Sequence, residues 1–152
     1  MDARNNRGPL VGQIGTTELI LGLLAAVAEK LRKRSGDAAD AGTIPVRLLC
    51  NVLHQLKAES PDFRDELKYL DFRRAGDNST SNTLERILFA GGTWGLHYVQ
   101  NPALVAIAVP PSQAQRRLDD FEASFGADAQ KRLDQIAEEV SGRLYEICQP
   151  VG

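Results

Sequence analysis

The sequence predicts a mainly α-helical fold carrying one β-hairpin. Two observations predict it. Apolar residues recur at 3–4 spacing through most of the chain, as in Leu133, Ile136, Val140, Leu144 and Ile147, which is the period of a helix with one buried stripe. One stretch departs from that period. "TWGLHYVQNPALVAIAV", residues 93 to 109, is rich in β-branched and aromatic residues and has Asn101-Pro102 at its middle, the mark of two strands and their connection. At 152 residues, with 43% hydrophobic and 25% charged residues, the chain is one domain's worth. A chain of this length buries roughly 70% of its unfolded surface and needs no disulfide or metal to fold.

Residues 1–15 hold three glycines, a proline and two asparagines without periodicity, and read as a flexible arm. Residues 16–152 form the single domain. Thr16 or Thr17 caps a first helix, helped by the early Glu18. It runs to Arg34, with Gly36 as its stop and Lys30, Arg32, Lys33 and Arg34 complementing its C-terminal dipole. Ile20, Leu24, Val27 and Leu31 make its stripe, which Leu19, Leu21 and Leu23 widen to most faces. A helix apolar on most faces is buried or sits in an oligomer interface. Gly22 inside it allows a close backbone approach. The run "LILGLLAAVA", residues 19–28, with Arg4 and Arg7 upstream, also has features of a secretory signal. Glu18 abuts the run, the cleavage-like Ala26-Val27-Ala28 falls inside it, and four cations follow, so a core helix is the favoured reading. The run is about half of what a bilayer span requires.

Residues 35–42, "SGDAADAG", read as a linker. Thr43 is expected to cap a second helix with Pro45 in its first turn and Leu49, Val52, Leu53 and Leu56 inside. Ser60-Pro61 opens a short third helix with Phe63, Leu67 and Leu70 inward. "RRAGDNSTSN", residues 73–82, reads as a polar loop. Asn82 with Glu85 resembles a capping box for a fourth helix bearing Leu84, Ile87, Leu88 and Phe89, which Gly91-Gly92 should end. The hairpin strands are expected at Trp94–Val99 and Ala103–Val109. The second lacks any polar side chain, so both its faces should be covered. After Pro110-Pro111, Ser112 with Gln115 resembles another capping box, for a helix with Leu118, Phe121 and Phe125 inside. Gly126 should break it and Asp128 cap the last helix, on which Glu139 and Arg143 form an i,i+4 pair.

Three short helices followed at once by a hairpin, over residues 44–109, resemble the winged-helix type of helix-turn-helix domain, with the hairpin as its wing. The resemblance lies in element order. It implies a core at 44–109 flanked by the helix at 16–34 and the helices at 112–149, which resemble the dimerising helices of many small bacterial regulators. For a DNA reader it implies that the helix near 82–90 enters the major groove, where basic and polar side chains are needed. "SNTLERILFA" offers only Glu85 and Arg86 as charges. Arg73 and Arg74 are the best phosphate candidates, and a DNA reader would draw its cations from Arg73, Arg74 and Arg86, with Lys30 to Arg34 beside them. Residues 1–34 carry six cations and three anions, residues 35–111 seven and nine, and residues 112–152 five and eight, giving +3, −2 and −3 and the chain's −2. A slightly acidic reading head repels the DNA backbone. The charge pattern suits protein binding better.

The search for catalytic chemistry returns none. Cys50 and His54 share a helix face at i,i+4, but two ligands are too few for a metal, and Leu49 and Leu53 beside them point to a structural role. His97 has no local acid. "AGGTWG", residues 90–95, follows a helix and precedes a strand, the reverse of a phosphate cradle. Asp119, Asp120 and Glu122 read as a solvated face. Cys50 and Cys148 read as two reduced thiols of a cytoplasmic protein. The expectation is therefore a non-enzymatic interaction module, a homodimer or the small subunit of a larger complex, with no cofactor, metal or membrane contact. The alternative is a winged-helix DNA-binding regulator. Candidate partner contacts are Ile20, Leu24 and Val27 on the first helix and Trp94 and Tyr98 on the hairpin. Trp94, Leu96 and Tyr98 read first as core residues of a half-buried strand, and otherwise as an exposed edge that pairs with a partner.

Overall fold

The computed structural model describes residues 15–35, 43–68, 70–76, 78–93, 98–99 and 106–148. The described chain is mainly α-helical with two small antiparallel strand assemblies, as the sequence predicts. The elements run α1 (Thr16–Ser35), β1 (Thr43–Pro45), α2 (Val46–Glu59), α3 (Pro61–Leu67), β2 (Arg73–Ala75), β3 (Asn78–Thr80), α4 (Asn82–Thr93), β4 (Tyr98–Val99), β5 (Ala106–Ala108), α5 (Pro111–Phe125) and α6 (Ala127–Cys148). None of these helices is long and apolar enough to cross a membrane.

Helix α1 lies at the centre of the core. Every residue from Leu19 to Ala28 except Gly22 is a buried hydrophobic, so the helix is covered on all sides by its own chain, chiefly by α5 and α6. A Cβ on Gly22 would lie 3.0 Å from Phe121 Cδ2 and 3.3 Å from Leu133 Cδ2. The missing side chain is what lets α1 come so close to α5 and α6. The cations at its C-terminal end do more than complement the dipole. Lys30 pairs with Asp134 at 2.9 Å and Glu138 at 3.1 Å, and Arg34 pairs with Glu138 at 2.6 Å. Arg32 donates to the Val109 carbonyl at 2.8 Å and pairs with Glu29 at 2.6 Å. Hydrogen bonding from Lys30, with the charges of Lys30 and Arg34, holds the Glu138 carboxyl below the usual carboxylate range.

Residues Thr43 to Pro45 correct an expectation. They form a strand, and α2 begins at Val46 with Pro45 (φ −67°, ψ 126°) as its N-cap. Pairing Ile44 with Ile107 buries both completely, a gain of roughly 1.5–3 kcal/mol per side chain. Proline's fixed φ suits either a strand end or a first helical turn, and the residue before a proline favours extended backbone. The hairpin strand β5 is thus central in a three-stranded sheet of order β1–β5–β4, antiparallel throughout. Ile107 is fully buried and Ala108 half-buried on it.

The expected polar loop at 73–82 is a second hairpin. Arg73 lies opposite Thr80, Arg74 opposite Ser79 and Ala75 opposite Asn78. Gly76 takes φ +67°, the left-handed conformation that a two-residue hairpin turn requires and glycine supplies. Helix α4 is capped by Ser81, whose hydroxyl accepts from the Leu84 N–H at 3.2 Å, and it continues through Gly91-Gly92 to Thr93. Helix α5 starts on Pro111 after an extended Pro110, while Gln115 bonds Asp119 at 2.9 Å and closes no capping box. Gly126, at φ +98°, ends it as expected, and α6 begins at the next residue, one before the expected cap at Asp128.

Candidate functional site

Helix α2 presents two faces. Val46, Leu49, Cys50, Val52, Leu53 and Leu56 face inward and are buried. Arg47, Asn51, His54, Gln55 and Ala58 recur at 3–4 spacing on the other side. The β2–β3 hairpin is fastened to that outer face. The Ser79 N–H donates to Asn51 Oδ1 at 2.7 Å, and Ser79 Oγ lies 2.6 Å from His54 Nδ1. The His54 ring stacks on Phe72 at 5.0 Å between centroids and 8° between planes. Lys57 donates to the Leu70 carbonyl at 2.8 Å. A serine–histidine contact of this length also occurs in nucleophilic sites, but Ser79 is a buried residue of the hairpin itself and its hydroxyl is committed to anchoring. His54 here is a clamp on the hairpin.

The clamp forms one wall of a cleft of about 460 Å³ whose edge includes Arg74, Gln55, Glu59 and Ile147. A second cleft, of about 710 Å³, is lined by Arg34, Gln55, Glu138, Glu139, Arg143, Glu146 and Ile147. Gln55 and Ile147 line both, so the two clefts adjoin at these residues. Ile147 is 51% exposed, although the earlier members of its stripe on α6, from Leu133 to Leu144, are buried. The stripe outlasts what it packs on. Most charges around it are paired. Arg143 binds Glu139 at 2.9 Å and Glu59 at 3.6 Å, and Arg34 binds Glu138.

The residues singled out from sequence meet different fates. Ile20, Leu24 and Val27 are corrected as partner contacts, because they lie at 1% exposure or less within a single chain and no partner can reach them. The same widened stripe that suggested an interface is consumed by α5 and α6. Trp94 lies outside the described residues. Tyr98 is on β4, paired with Ala108, and its side chain is outside what is described. Arg73, Arg74 and Arg86 are all exposed. Arg73 and Arg74 are consecutive on a strand and point to opposite faces. Arg74 lines the α2 cleft, whereas Arg86 lines a separate shallow one beside Thr16, Thr17 and Thr83. Sequence reasoning missed Gln55, Glu146 and Ile147, and the signal for Ile147 pointed inward because its spacing fits the buried stripe.

Cys50 is free and buried, and burial, reinforced by the charge of Glu85, pushes its thiol up to about 11. The thiolate, the reactive form, is therefore suppressed at neutral pH. In a Cys148→Ser chain, iodoacetamide at pH 8 should leave the folded protein unmodified and label Cys50 fully once urea unfolds it, as read by intact mass. Rapid labelling of the folded chain would instead mean an accessible, activated sulfur. Among the described residues, no group of three His, Cys, Asp or Glu side chains is placed to hold a metal ion. Compared with protein-family models, curated proteins and solved structures, this chain matches none.

Proposed function

We propose that this chain is a non-enzymatic protein-binding subunit on a winged-helix-like frame, and that the two adjoining clefts around Ile147 are its binding surface. The strand order supports the frame. A strand from before α2 closes the β4–β5 hairpin, with α2, α3 and α4 strung between them. The β2–β3 hairpin is an insertion that the resemblance does not include. The observation that carries the binding reading is the half-exposed Ile147 ringed by charges of both signs. An apolar centre with a polar, mixed-charge rim is the anatomy of a protein interface, whereas a phosphate backbone calls for a net-positive face. The test is a photo-crosslinking amino acid at position 147 in the producing cell, with exposed Glu122 on α5 as the control position. One discrete adduct from position 147 and none from 122 is expected. Equal or absent adducts at both positions would refute the reading.

A second reading, a DNA-binding regulator, is favoured by one observation. Arg47, Arg73, Arg74 and Arg86, all in the stretch from α2 to α4, are exposed and make no ion pair among the described residues, as is also true of Lys33, Arg116 and Lys131, whereas Lys30, Arg32, Arg34, Arg117, Arg132 and Arg143 are paired. On this reading, anisotropy with mixed duplex at low salt detects binding. Each arginine replaced by Ala should lower the salt slope by about one if it contacts a phosphate. Absence of low-salt binding would eliminate it.

A further inference from the structure

Within the two adjoining clefts, two charges make no ion pair among the described residues. Arg74 lines only the 460 Å³ cleft and Glu146 only the 710 Å³ cleft. Ile147 and Gln55 line both. Every other charged side chain lining the clefts is committed. Arg34 holds Glu138, and Arg143 holds both Glu59 and Glu139. Among the described residues, an unpaired cation thus lines one cleft, an unpaired anion lines the other, and the apolar Ile147 is shared between them. Complementarity of charge selects partners and fixes their orientation more than it adds raw affinity.

The geometry points to a partner segment of matching polarity: a carboxylate to meet Arg74, an aliphatic or aromatic side chain on Ile147, and a lysine or arginine to meet Glu146. This rests on the protein-binding reading above and adds the chemistry and orientation of the partner. Its occupant is a peptide segment of another protein. The mixed charges disfavour a uniformly charged polymer, which would meet repulsion in one of the two clefts.

The test uses the full chain and a random linear 16-residue peptide library displayed on phage. Sedimentation velocity of the wild type and Ile147→Asp comes first. Ile147 is half exposed, so that variant should keep its helical circular dichroism and melting temperature. The selected peptides should place an acidic residue on one side of an apolar residue and a basic residue on the other, and Ile147→Asp should abolish their binding. Arg74→Glu should weaken the peptides about fivefold or more, since an exposed ion pair is exchanged for a like-charge contact. A peptide with its acidic residue changed to lysine should recover on Arg74→Glu, and Glu146→Lys should respond in the mirror sense. Peptides that need Ile147 but ignore both charge reversals would overturn the polarity and leave the protein-binding reading standing. No selected peptide, or peptides indifferent to Ile147→Asp, would sink both. A wild-type dimer that Ile147→Asp turns into a monomer would make a second copy the occupant and overturn the proposal of a separate partner.

Discussion

Leu24→Ala should lower the unfolding free energy by about 3–4 kcal/mol, the range for a buried leucine truncated in a site that cannot collapse. Urea unfolding followed by circular dichroism measures it, as a fall in midpoint with an unchanged slope. Leu24 is 1% exposed and sits among other buried side chains of α1 that pack against α5 and α6. Glycine at position 22 already draws the two neighbouring helices to contact distance, so the surroundings have little room to relax inward. Leu24→Asp should leave no folded fraction, because a carboxylate there has neither water nor a cation to meet. The same variants decide between a core and an interface. Were Leu24 an interface residue, Leu24→Ala would spare the folded monomer, and its effect would depend on protein concentration. A concentration-independent loss of this size is the core result. A loss below about 1 kcal/mol would contradict the burial described here.

What the sequence made legible was local and periodic. The extents of α1 and α6 follow from their stripes, whereas α3 stops at Leu67, short of the Leu70 its stripe included, and Gly126 breaks the chain where its sequence context says it should. What stayed hidden depended on partners distant in sequence. Thr43 to Pro45 become a strand only because β5, over sixty positions later, supplies Ile107 as a partner for Ile44. A local signal for extension did exist in the residue preceding Pro45. The β2–β3 hairpin also had its signal, since Gly-Asp is a dipeptide that favours a two-residue hairpin turn. Its strands have no apolar alternation, because they are held by side-chain hydrogen bonds from Asn51 and His54 and not by greasy packing. The site was least legible of all. The breadth of the α1 stripe was visible, but whether α5 and α6 or another molecule covers it is a tertiary fact. Conversely, Ile147 carries the spacing of a core residue and ends up on the surface.

Arg132→Ala should cost about 3 kcal/mol and detach α3 first. Helix α3 has seven residues, too few to persist by propensity alone. It is held to α6 by one guanidinium. Arg132 Nε reaches Glu66 Oε2 at 2.8 Å and its Nη2 reaches Oε1 at 3.0 Å. The same group donates to the Asp62 carbonyl and lies 4.9 Å over the Phe63 ring. The Glu66 side chain is 1% exposed, so removing the arginine strips its principal cation from a carboxylate that water does not reach. Much of the cost is the loss of a two-pronged partner by a buried carboxylate. Glu66→Gln placed on Arg132→Ala should therefore restore about half of the loss, with the cycle closing on a coupling energy near 1.5 kcal/mol or more. Arg132→Lys keeps the charge but not the two-pronged geometry, and should fall between wild type and Arg132→Ala. Hydrogen exchange reports the location: amides of α3 should lose protection before those of α1, because one end of its anchoring has gone while the central core is intact. Uniform loss of protection across both helices would show that α3 and the core open as one unit, and that Arg132 stabilises the whole domain and not its seven-residue appendage.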